Sequence, residues 1–291
     1  MNKVIDKKSF WFFLAPISLT FIIVVIIPFI IGMYYSLTDW SAIPGATTRF
    51  IGFENYREIF ADAQFRTSFV KTLIYAFYAV MLINIVGFSL ALLVTRKLKT
   101  SNLLRTAFFM PNLIGGLILG YIWQFVFLEI LPYVSELLNT GILGARWLSD
   151  PDMALWSMAI VSTWQMGGYI MIIYIAALNS IPKELIEAAS LDGAGALQKI
   201  RHITFPMVAP AFTVSLFLTL STSFKMFDVN IALTGGGPAR LTELLALGIY
   251  NKAFTQANFG EGQAQAAIFF GVIAITTLTQ VYFSKRKEVE M

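Results

Sequence analysis

Residues 180–206, SIPKELIEAASLDGAGALQKIRHITFP, form a long polar segment between two strongly apolar segments. The opening Ser-Ile-Pro is typical of a helix N-terminus, because proline suits the first helical turn. The pattern predicts a short amphipathic helix over 183–191, a sharp turn at Asp192-Gly193, and a second helical piece that runs to about His202. We call residues 180–206 the elbow. Its bend is rich in small residues, which allow another backbone to approach closely: Ala188, Ala189, Gly193, Ala194, Gly195 and Ala196.

The composition indicates an integral membrane protein. Of the 291 residues, 57% are hydrophobic and 13% are charged, whereas about 25% of a typical soluble domain is charged. The mean hydropathy of +0.71 agrees with this class. The chain has no cysteine and a single histidine, which excludes disulfides, thiolate metal sites and multi-histidine metal sites. We therefore expect no metal site.

Long apolar segments predict the fold class. About 20 residues span the hydrocarbon core of a membrane, and six segments reach that length. We therefore predict an all-α integral membrane protein with six transmembrane helices in a single domain, 1–291. The first segment is too long for the apolar core of a cleaved signal peptide and is predicted to be retained. The predicted spans are residues 10–37, 69–95, 106–131, 153–179, 207–227 and 263–283.

The distribution of Lys and Arg predicts the orientation. Thirteen of the 21 lie in the N-terminal segment, the loop at 96–105, the elbow and the C-terminal tail, and six lie in the other three loops. Because Lys and Arg concentrate on the cytoplasmic side, both termini and the elbow are predicted to be cytoplasmic. The net charge of +4 comes from residues at the ends of apolar runs and does not indicate a nucleic-acid partner.

Motifs for enzymatic chemistry do not occur in the sequence. There is no GxxxxGKS or GxxxxGKT phosphate-binding loop, no HExxH metal motif and no GxSxG nucleophile motif. The centres of the six predicted spans carry no ionisable side chain, which disfavours ion coupling. We therefore predict that the chain is not an enzyme, has no catalytic residue, and depends on a partner for any energy that it uses.

The spacing within the elbow resembles a known motif. Glu187-Ala188-Ala189 is followed after three residues by Gly193, and after nine more by Ile-Thr-Phe-Pro. This resembles the EAA loop of ABC importer permeases, in which EAA, three residues, Gly and nine residues precede Ile-x-Leu-Pro. Phe205 stands in place of the leucine and keeps an apolar residue there. Three further segments are similar to the sugar-type branch, which includes the maltose-type permeases: GFENYREIF (52–60), FFMPNLIGG (108–116) and LTGGGP (233–238).

The resemblance implies a type I ABC importer permease fold with a cytoplasmic coupling helix, in the plasma membrane of a bacterium or archaeon. The implied function is import of a sugar or oligosaccharide by alternating access, driven by a separate ATPase subunit. In that family the EAA loop sits in a cleft of the ATPase. Glu187 would then face a basic residue, and Asp192 would help to fix the turn. Close packing would be allowed by Ala188, Ala189 and Gly193.

The resemblance also implies an assembly. The expected partners are a second, similar permease that completes a heterodimer, two ATPase subunits and an extracytoplasmic solute-binding protein, within the lipid bilayer. ATP and Mg would be bound by the ATPase subunits. We therefore expect no cofactor on this chain.

Polar side chains at helical spacing in two predicted spans indicate a solute path. Such side chains tend to face the bundle interior, and they fall where the maltose-type permeases have a sugar-binding face. Sugar recognition needs hydroxyl and amide groups with an aromatic surface, which Trp164 or Tyr169 could supply. Helix–helix hydrogen bonding is the alternative interpretation, and it is the one predicted for Asn84. The substrate-path candidates are Ser162, Gln165, Met166, Tyr169, Thr219, Thr222 and Ser223.

Two other functions stay open. The substrate-path candidates form two stripes, one on the fourth predicted span and one on the fifth. Import of glycerol phosphate or another polar solute is the first alternative, and a phosphate would call for Arg or Lys on these stripes, which contain none. A self-sufficient channel or carrier is the second alternative. It predicts charged side chains at mid-membrane and does not require the elbow. Outside the stripes, Lys225 and Asp228 are predicted to form an intrahelical ion pair. Residues 235–238 are either a plain turn or a contact for an external binding protein.

Overall fold

The fold is given by a computed structural model that describes residues 7–43, 45, 47–96, 99–141, 144 and 146–286, with the backbone alone for residues 7–10. This part of the chain is helical, with no strand beyond two isolated bridges. In chain order the helices are α1 (Lys7–Phe21, Ile22–Ile26 and Ile27–Tyr35), α2 (Glu54–Ala61), α3 (Ala63–Val94), α4 (Ser101–Phe109, then the 3-10 turn Met110–Leu113), α5 (Gly116–Leu138), α6 (Pro151–Asn179), α7 (Lys183–Leu191), α8 (Ala196–Met207), α9 (Ala209–Phe224), α10 (Asp228–Leu233), α11 (Leu245–Tyr250, then Asn251–Thr255) and α12 (Phe259–Lys285).

The described helices give five candidate membrane spans, and a sixth if one bent pair of helices is counted as a single span. Five helices are each long and apolar enough to cross a membrane: α1 from Trp11, α3, α5, α6 and α12. The sixth span requires α8 and α9 together, which are bent by 70° at Val208. This architecture confirms the predicted all-α membrane fold.

Two predicted spans differ from the helices observed. The third, predicted at 106–131, lies at Gly116–Leu138, because the chain turns at Pro111 and is extended at Ile114 before α5 begins. The fifth, predicted at 207–227, is interrupted at Val208. Pro210 has no N–H to continue the hydrogen-bond ladder through this point. The other predicted bounds lie within six residues of the observed helix ends.

The chain forms two compact units: Met1–Asp62 with Ile249–Phe270, and Ala63–Gly248 with Gly271–Met291. In the first unit, the Trp40 ring stacks on Phe259 at a centroid distance of 4.7 Å. The Trp40 carbonyl oxygen accepts a hydrogen bond from the Gly260 N–H at 2.8 Å. These contacts tie the segment after α1 to the start of α12.

In the second unit, small residues allow helices to pack closely. A Cβ added to Gly87 of α3 would lie 2.9 Å from Ile170 Cγ2 and 3.2 Å from the Gly167 carbonyl oxygen, both on α6. A Cβ added to Gly168 would overlap the Phe108 carbonyl group at the end of α4. Close approach at small residues is a common way for helices to associate in membranes. α6 is thus the central helix, with α3 and α4 packed against it.

Candidate functional site: the elbow and a polar cavity

The elbow forms the predicted helix–turn–helix, but its second helix, predicted to run to about His202, continues to Met207. α7 begins after Pro182, and its C-cap residue is Asp192. No residue of α7 is buried, and Leu191 and Leu197, one on each arm, are 89% and 77% exposed. The described part of the chain therefore leaves an apolar surface uncovered at the bend.

Gly193 closes the turn between the two arms. Its φ of +78° lies in the left-handed region. The Gly193 N–H donates to the Ser190 carbonyl at 3.2 Å and the Ala194 N–H to the Ala189 carbonyl at 2.9 Å, which is the Schellman pattern of a glycine helix end. No atom would lie within 4 Å of a Cβ added to Gly193. Conformation, rather than lack of space within this chain, therefore favours glycine at the turn.

Polar contacts hold the two arms in a defined geometry. Lys199 Nζ donates to Ser190 Oγ at 2.8 Å and so joins α8 to α7. The Gly195 N–H donates to Gln198 Oε1 at 2.8 Å, which satisfies one of the free donors at the start of α8. Asp192 contributes its backbone N–H to the last turn of α7. The elbow is therefore preformed in this chain.

Glu187 is exposed on α7 and has no ion-pair or hydrogen-bond partner within the part of the chain that the structure describes. Ala188 beside it is exposed, and Ala189 is half-buried. An unpaired carboxylate on an open helix face can receive a cationic side chain from another protein. The geometry agrees with the predicted docking role of these residues, which stays a prediction.

The structure buries some of the predicted substrate-path residues and places others at a cavity. Ser162, Thr219 and Ser223 are at most 2% exposed. Ser162 Oγ lies 2.7 Å from the Tyr75 hydroxyl and donates to the Met158 carbonyl at 2.8 Å. These three side chains are thus closed to a solute in this conformation.

Thr219 belongs to a buried hydrogen-bond network that joins α3, α6 and α9. Asn84 Nδ2 donates to Thr219 Oγ1 at 3.0 Å, and the Tyr174 hydroxyl donates to Asn84 Oδ1 at 2.7 Å. The Tyr174 hydroxyl also lies 2.6 Å from Ser215 Oγ. Because the hydrocarbon region offers no water, polar groups there must satisfy one another. The geometry favours the helix–helix interpretation for Asn84 and Thr219.

Gln165 and Thr222, one from each stripe, line a single cavity of about 270 Å³. Gln165 Nε2 donates to the Ile114 carbonyl at 3.0 Å, so the amide is held in place and its Oε1 is left to accept. Thr222 Oγ1 donates to the Leu218 carbonyl at 2.8 Å, so its lone pairs are left as acceptors. These are groups that can hydrogen-bond the hydroxyls of a polar solute.

Lys225 and Asp228 line the same cavity, and the sequence interpretation missed them as solute contacts. The predicted ion pair between them is wrong: α9 ends at Phe224, and in the described part of the chain neither side chain has an ion-pair partner. The available signal was the position of Lys225, three residues after Thr222 in the sequence.

The remaining candidates lie elsewhere. Met166 and Tyr169 are half-buried and pack against the apolar core of the second unit. Trp164 lines a second cavity of about 450 Å³ together with Thr163 and Trp123, whose ring lies 5.6 Å from that of Trp164. Almost all side chains that line this second cavity are apolar, so it lacks the hydrogen-bonding groups that a sugar needs. The predicted aromatic surface is not part of the Gln165 cavity.

Residues 234–243 form an ordered turn. Thr242 Oγ1 donates to the Gly237 carbonyl at 2.6 Å, and Asn230 Nδ2 donates to the Thr242 carbonyl at 2.9 Å. Arg240 forms an ion pair at 2.7 Å with Glu243, whose side chain is 1% exposed. The turn interpretation agrees with these contacts, and contact with a binding protein stays a prediction.

The candidate spans define a multi-pass membrane protein. The family described as "Binding-protein-dependent transport system inner membrane component" matches residues 83–288. This match covers more than half of the chain, and the chain belongs to that family.

Known proteins are similar to the chain over most of its length. The probable starch degradation products transport system permease protein AmyD of Thermoanaerobacterium thermosulfurigenes is 50% identical over 282 residues, which cover 97% of this chain and 96% of AmyD. The sn-glycerol-3-phosphate transport system permease protein UgpA of Pectobacterium atrosepticum is 29% identical over 259 residues, which cover 88% of this chain and 87% of UgpA. The resemblance to ABC importer permeases of the sugar-type branch is therefore confirmed.

A solved structure shows the same fold. A chain of a bacterial ABC transporter involved in the import of the acidic polysaccharide alginate aligns with a TM-score of 0.82 and 22% identity, over 95% of each chain. The alginate transporter has also been solved in complex with an alginate pentasaccharide-bound periplasmic protein. The fold of this chain is that of an ABC importer permease.

Proposed function

We propose that this chain is one permease subunit of an ABC importer that moves a sugar or oligosaccharide into the cytoplasm by alternating access. The observation that carries the proposal is the preformed, exposed elbow in a chain of the binding-protein-dependent family. A membrane component without a phosphate-binding loop needs an external source of energy, and the elbow is a shaped surface through which an ATPase can act.

The coupling step uses α7 as the docking helix. Glu187 pairs with a basic residue of the ATPase, while Ala188, Ala189 and Gly193 let the two backbones approach. Closure of two ATPase subunits then moves the elbows, and α8 transmits this movement to α9 through the bend at Val208. Rocking of packed helices about a central site is a general route to alternating access.

The proposed cargo is a neutral sugar or short oligosaccharide. AmyD, the relative with 50% identity, is named for starch degradation products, which supports this class. The cavity side chains Gln165 and Thr222 offer the amide and hydroxyl groups that sugar recognition requires. Glycerol phosphate is the alternative, because UgpA is also similar and the cavity does contain a cation, Lys225. The carboxylate of Asp228 in the same cavity opposes an anionic cargo.

The proposed assembly pairs this chain with a second permease, two ATPase subunits that bind ATP and Mg, and an extracytoplasmic solute-binding protein. Both termini and the elbow face the cytoplasm in the plasma membrane of a bacterium or archaeon, and residues 1–291 act as one permease domain without a cofactor of their own. The charge distribution supports this orientation. The periplasmic partner of the alginate transporter supports the external component.

Reversing the charge at Glu187 tests the proposal in the complete transporter. We expect Glu187→Lys to lose most sugar uptake and most ATP hydrolysis stimulated by the loaded binding protein, because it places a cation against a basic ATPase residue. Glu58→Lys is the matched control, since Glu58 is also an exposed helical glutamate, and it should retain both activities. Full uptake by Glu187→Lys, or uphill uptake by the purified chain without partners, would overturn the proposal.

A further inference from the structure

The cavity that Gln165 and Thr222 line is a mixed-charge site. Its remaining polar side chains are the cation Lys225 and the anion Asp228. Both side chains are exposed, and neither forms an ion pair or a side-chain hydrogen bond within the described residues. The two charges are therefore available to a solute and do not neutralise each other through direct contact.

Close packing holds Asp228 in place. A Cβ added to Gly116, the first residue of α5, would lie 2.7 Å from Asp228 Cβ and 3.1 Å from Asp228 Oδ2. The first turn of α5 carries unsatisfied N–H groups, and a carboxylate beside such a turn is favoured. α9 ends at Phe224, which places Lys225 at the opposite end of the short break before α10. The fold thus presents one anion, packed against the start of α5, and one cation to the same cavity.

We propose that Lys225 and Asp228 set the charge selectivity of the transport path, and that together they make the path selective for an uncharged polyol. This inference rests on the proposed function in that it places the cavity on the cargo path. A carboxylate accepts hydrogen bonds from neighbouring hydroxyls, and an ammonium group donates up to three. Their charges cancel, so a neutral sugar gains hydrogen bonds at both groups, whereas a phosphate ester or a uronate loses at Asp228 the attraction that it gains at Lys225. Loss of Asp228 leaves Lys225 alone and favours an anion, and loss of Lys225 favours a cation.

The absence of cysteine from the chain allows a direct test of this electrostatic arrangement. Thr222→Cys places one thiol in the cavity of the assembled transporter in detergent. Its modification rate is then measured with an anionic reagent (2-sulfonatoethyl methanethiosulfonate) and a cationic reagent (2-trimethylammonioethyl methanethiosulfonate). A unit charge at contact distance in water changes each rate by on the order of fivefold, in opposite directions for the two reagents. We therefore expect Asp228→Asn to raise the anion-to-cation rate ratio by roughly 25-fold, and Lys225→Met to lower it by a similar factor.

A second thiol position separates local from general effects. Leu138→Cys lies at the far end of α5, whose first residue, Gly116, lines the cavity, and α5 extends about 33 Å from Gly116 to Leu138 at 1.5 Å per residue. At physiological salt the screening length is about 8 Å, so the ratio at Leu138→Cys should not respond to either substitution. If Thr222→Cys does not assemble, Gln165→Cys reports on the same cavity. An unchanged ratio at the cavity thiol, or an equal change at Leu138→Cys, would overturn the inference.

Uptake by the reconstituted transporter supplies the readout for cargo. The probes are maltotriose and its aldonate, which carries one negative charge at the oxidised end. Asp228→Asn should raise the ratio of aldonate uptake to maltotriose uptake severalfold over the wild-type ratio. An unchanged uptake ratio would overturn the role of Asp228 in selectivity, even if the thiol modification rates change. Failure of the wild-type transporter to import maltotriose would instead count against the proposed sugar cargo, while the thiol ratios still decide whether Lys225 and Asp228 govern the charge of the cavity.

Discussion

Replacing Gly193 by alanine changes the conformation of the elbow without adding a clash. The φ of Gly193 is +78°, and an L-residue in the left-handed region costs about 1–2 kcal/mol. No atom would lie within 4 Å of the added Cβ. Gly193→Ala therefore introduces the conformational cost alone, at the turn that sets the angle between α7 and α8.

We expect this cost to appear as weaker docking of the proposed ATPase subunits. A penalty of about 1–2 kcal/mol lowers the population of the native turn by about 5- to 30-fold relative to relaxed turns. The apparent dissociation constant for the ATPase should rise by up to the same factor. Titration of ATPase subunits onto the purified permease pair, followed by calorimetry or a biosensor, measures this change.

Gly195→Ala is the matched control. It removes a small residue from the same bend, but the φ of Gly195 is −70°, which alanine adopts readily. Gly193→Asn should give an intermediate loss, because asparagine visits the left-handed region more easily than alanine. Wild-type affinity in Gly193→Ala, or an equal loss in Gly193→Ala and Gly195→Ala, would refute the reasoning.

Two further substitutions probe the body of helices that carries the cavity. Tyr174→Phe removes the hydroxyl that donates to Asn84 Oδ1 and should lower the free energy of unfolding in detergent by roughly 0.5–1.5 kcal/mol. Tyr169→Phe is the control, because the Tyr169 hydroxyl has no hydrogen bond in the described part of the chain. An equal loss of stability in the two variants would contradict a stabilising role for the hydrogen-bond network around Asn84. Gly168→Ala drives a methyl group onto the Phe108 carbonyl and should destabilise by about 1–3 kcal/mol through overpacking. This would be seen as a lower melting temperature, whereas Gly271→Ala, where the added Cβ has open space, should melt as wild type does.

The elbow could be predicted from sequence because its determinants are local. Pro182 precedes the first turn of α7, and Gly193 supplies the left-handed residue that ends it, so both boundaries lie within a few residues of their cause. The start of α5 could not be predicted in the same way. Residues 106–131 are mostly apolar, and apolar composition is equally compatible with a continuous helix and with the turn at Pro111 followed by an extended Ile114.

The stripes show where helical periodicity stops being informative. Spacing places Ser162 and Gln165 on one face of α6, but it does not say what covers each of them. Ser162 is covered by Tyr75, which lies 87 residues away in the sequence, whereas Gln165 is left beside an open cavity. The ion-pair prediction for Lys225 failed for a related reason, because the three-residue spacing to Asp228 has that meaning only within a continuous helix.

The elbow and the cavity are joined by one continuous stretch of chain. α9 extends from the bend at Val208 to Phe224, so its far end delivers Thr222 and Lys225 to the cavity. Ser215 and Thr219, in the middle of α9, are hydrogen-bonded to Tyr174 and Asn84. Within the hydrocarbon region no water replaces those bonds if they break. Relative motion between the elbow and this body is therefore easiest at Val208, where the helix is already broken. A movement that passes beyond that bend would therefore carry α9 together with α3 and α6, so Gln165 of α6 and Thr222 of α9 would keep their relative positions.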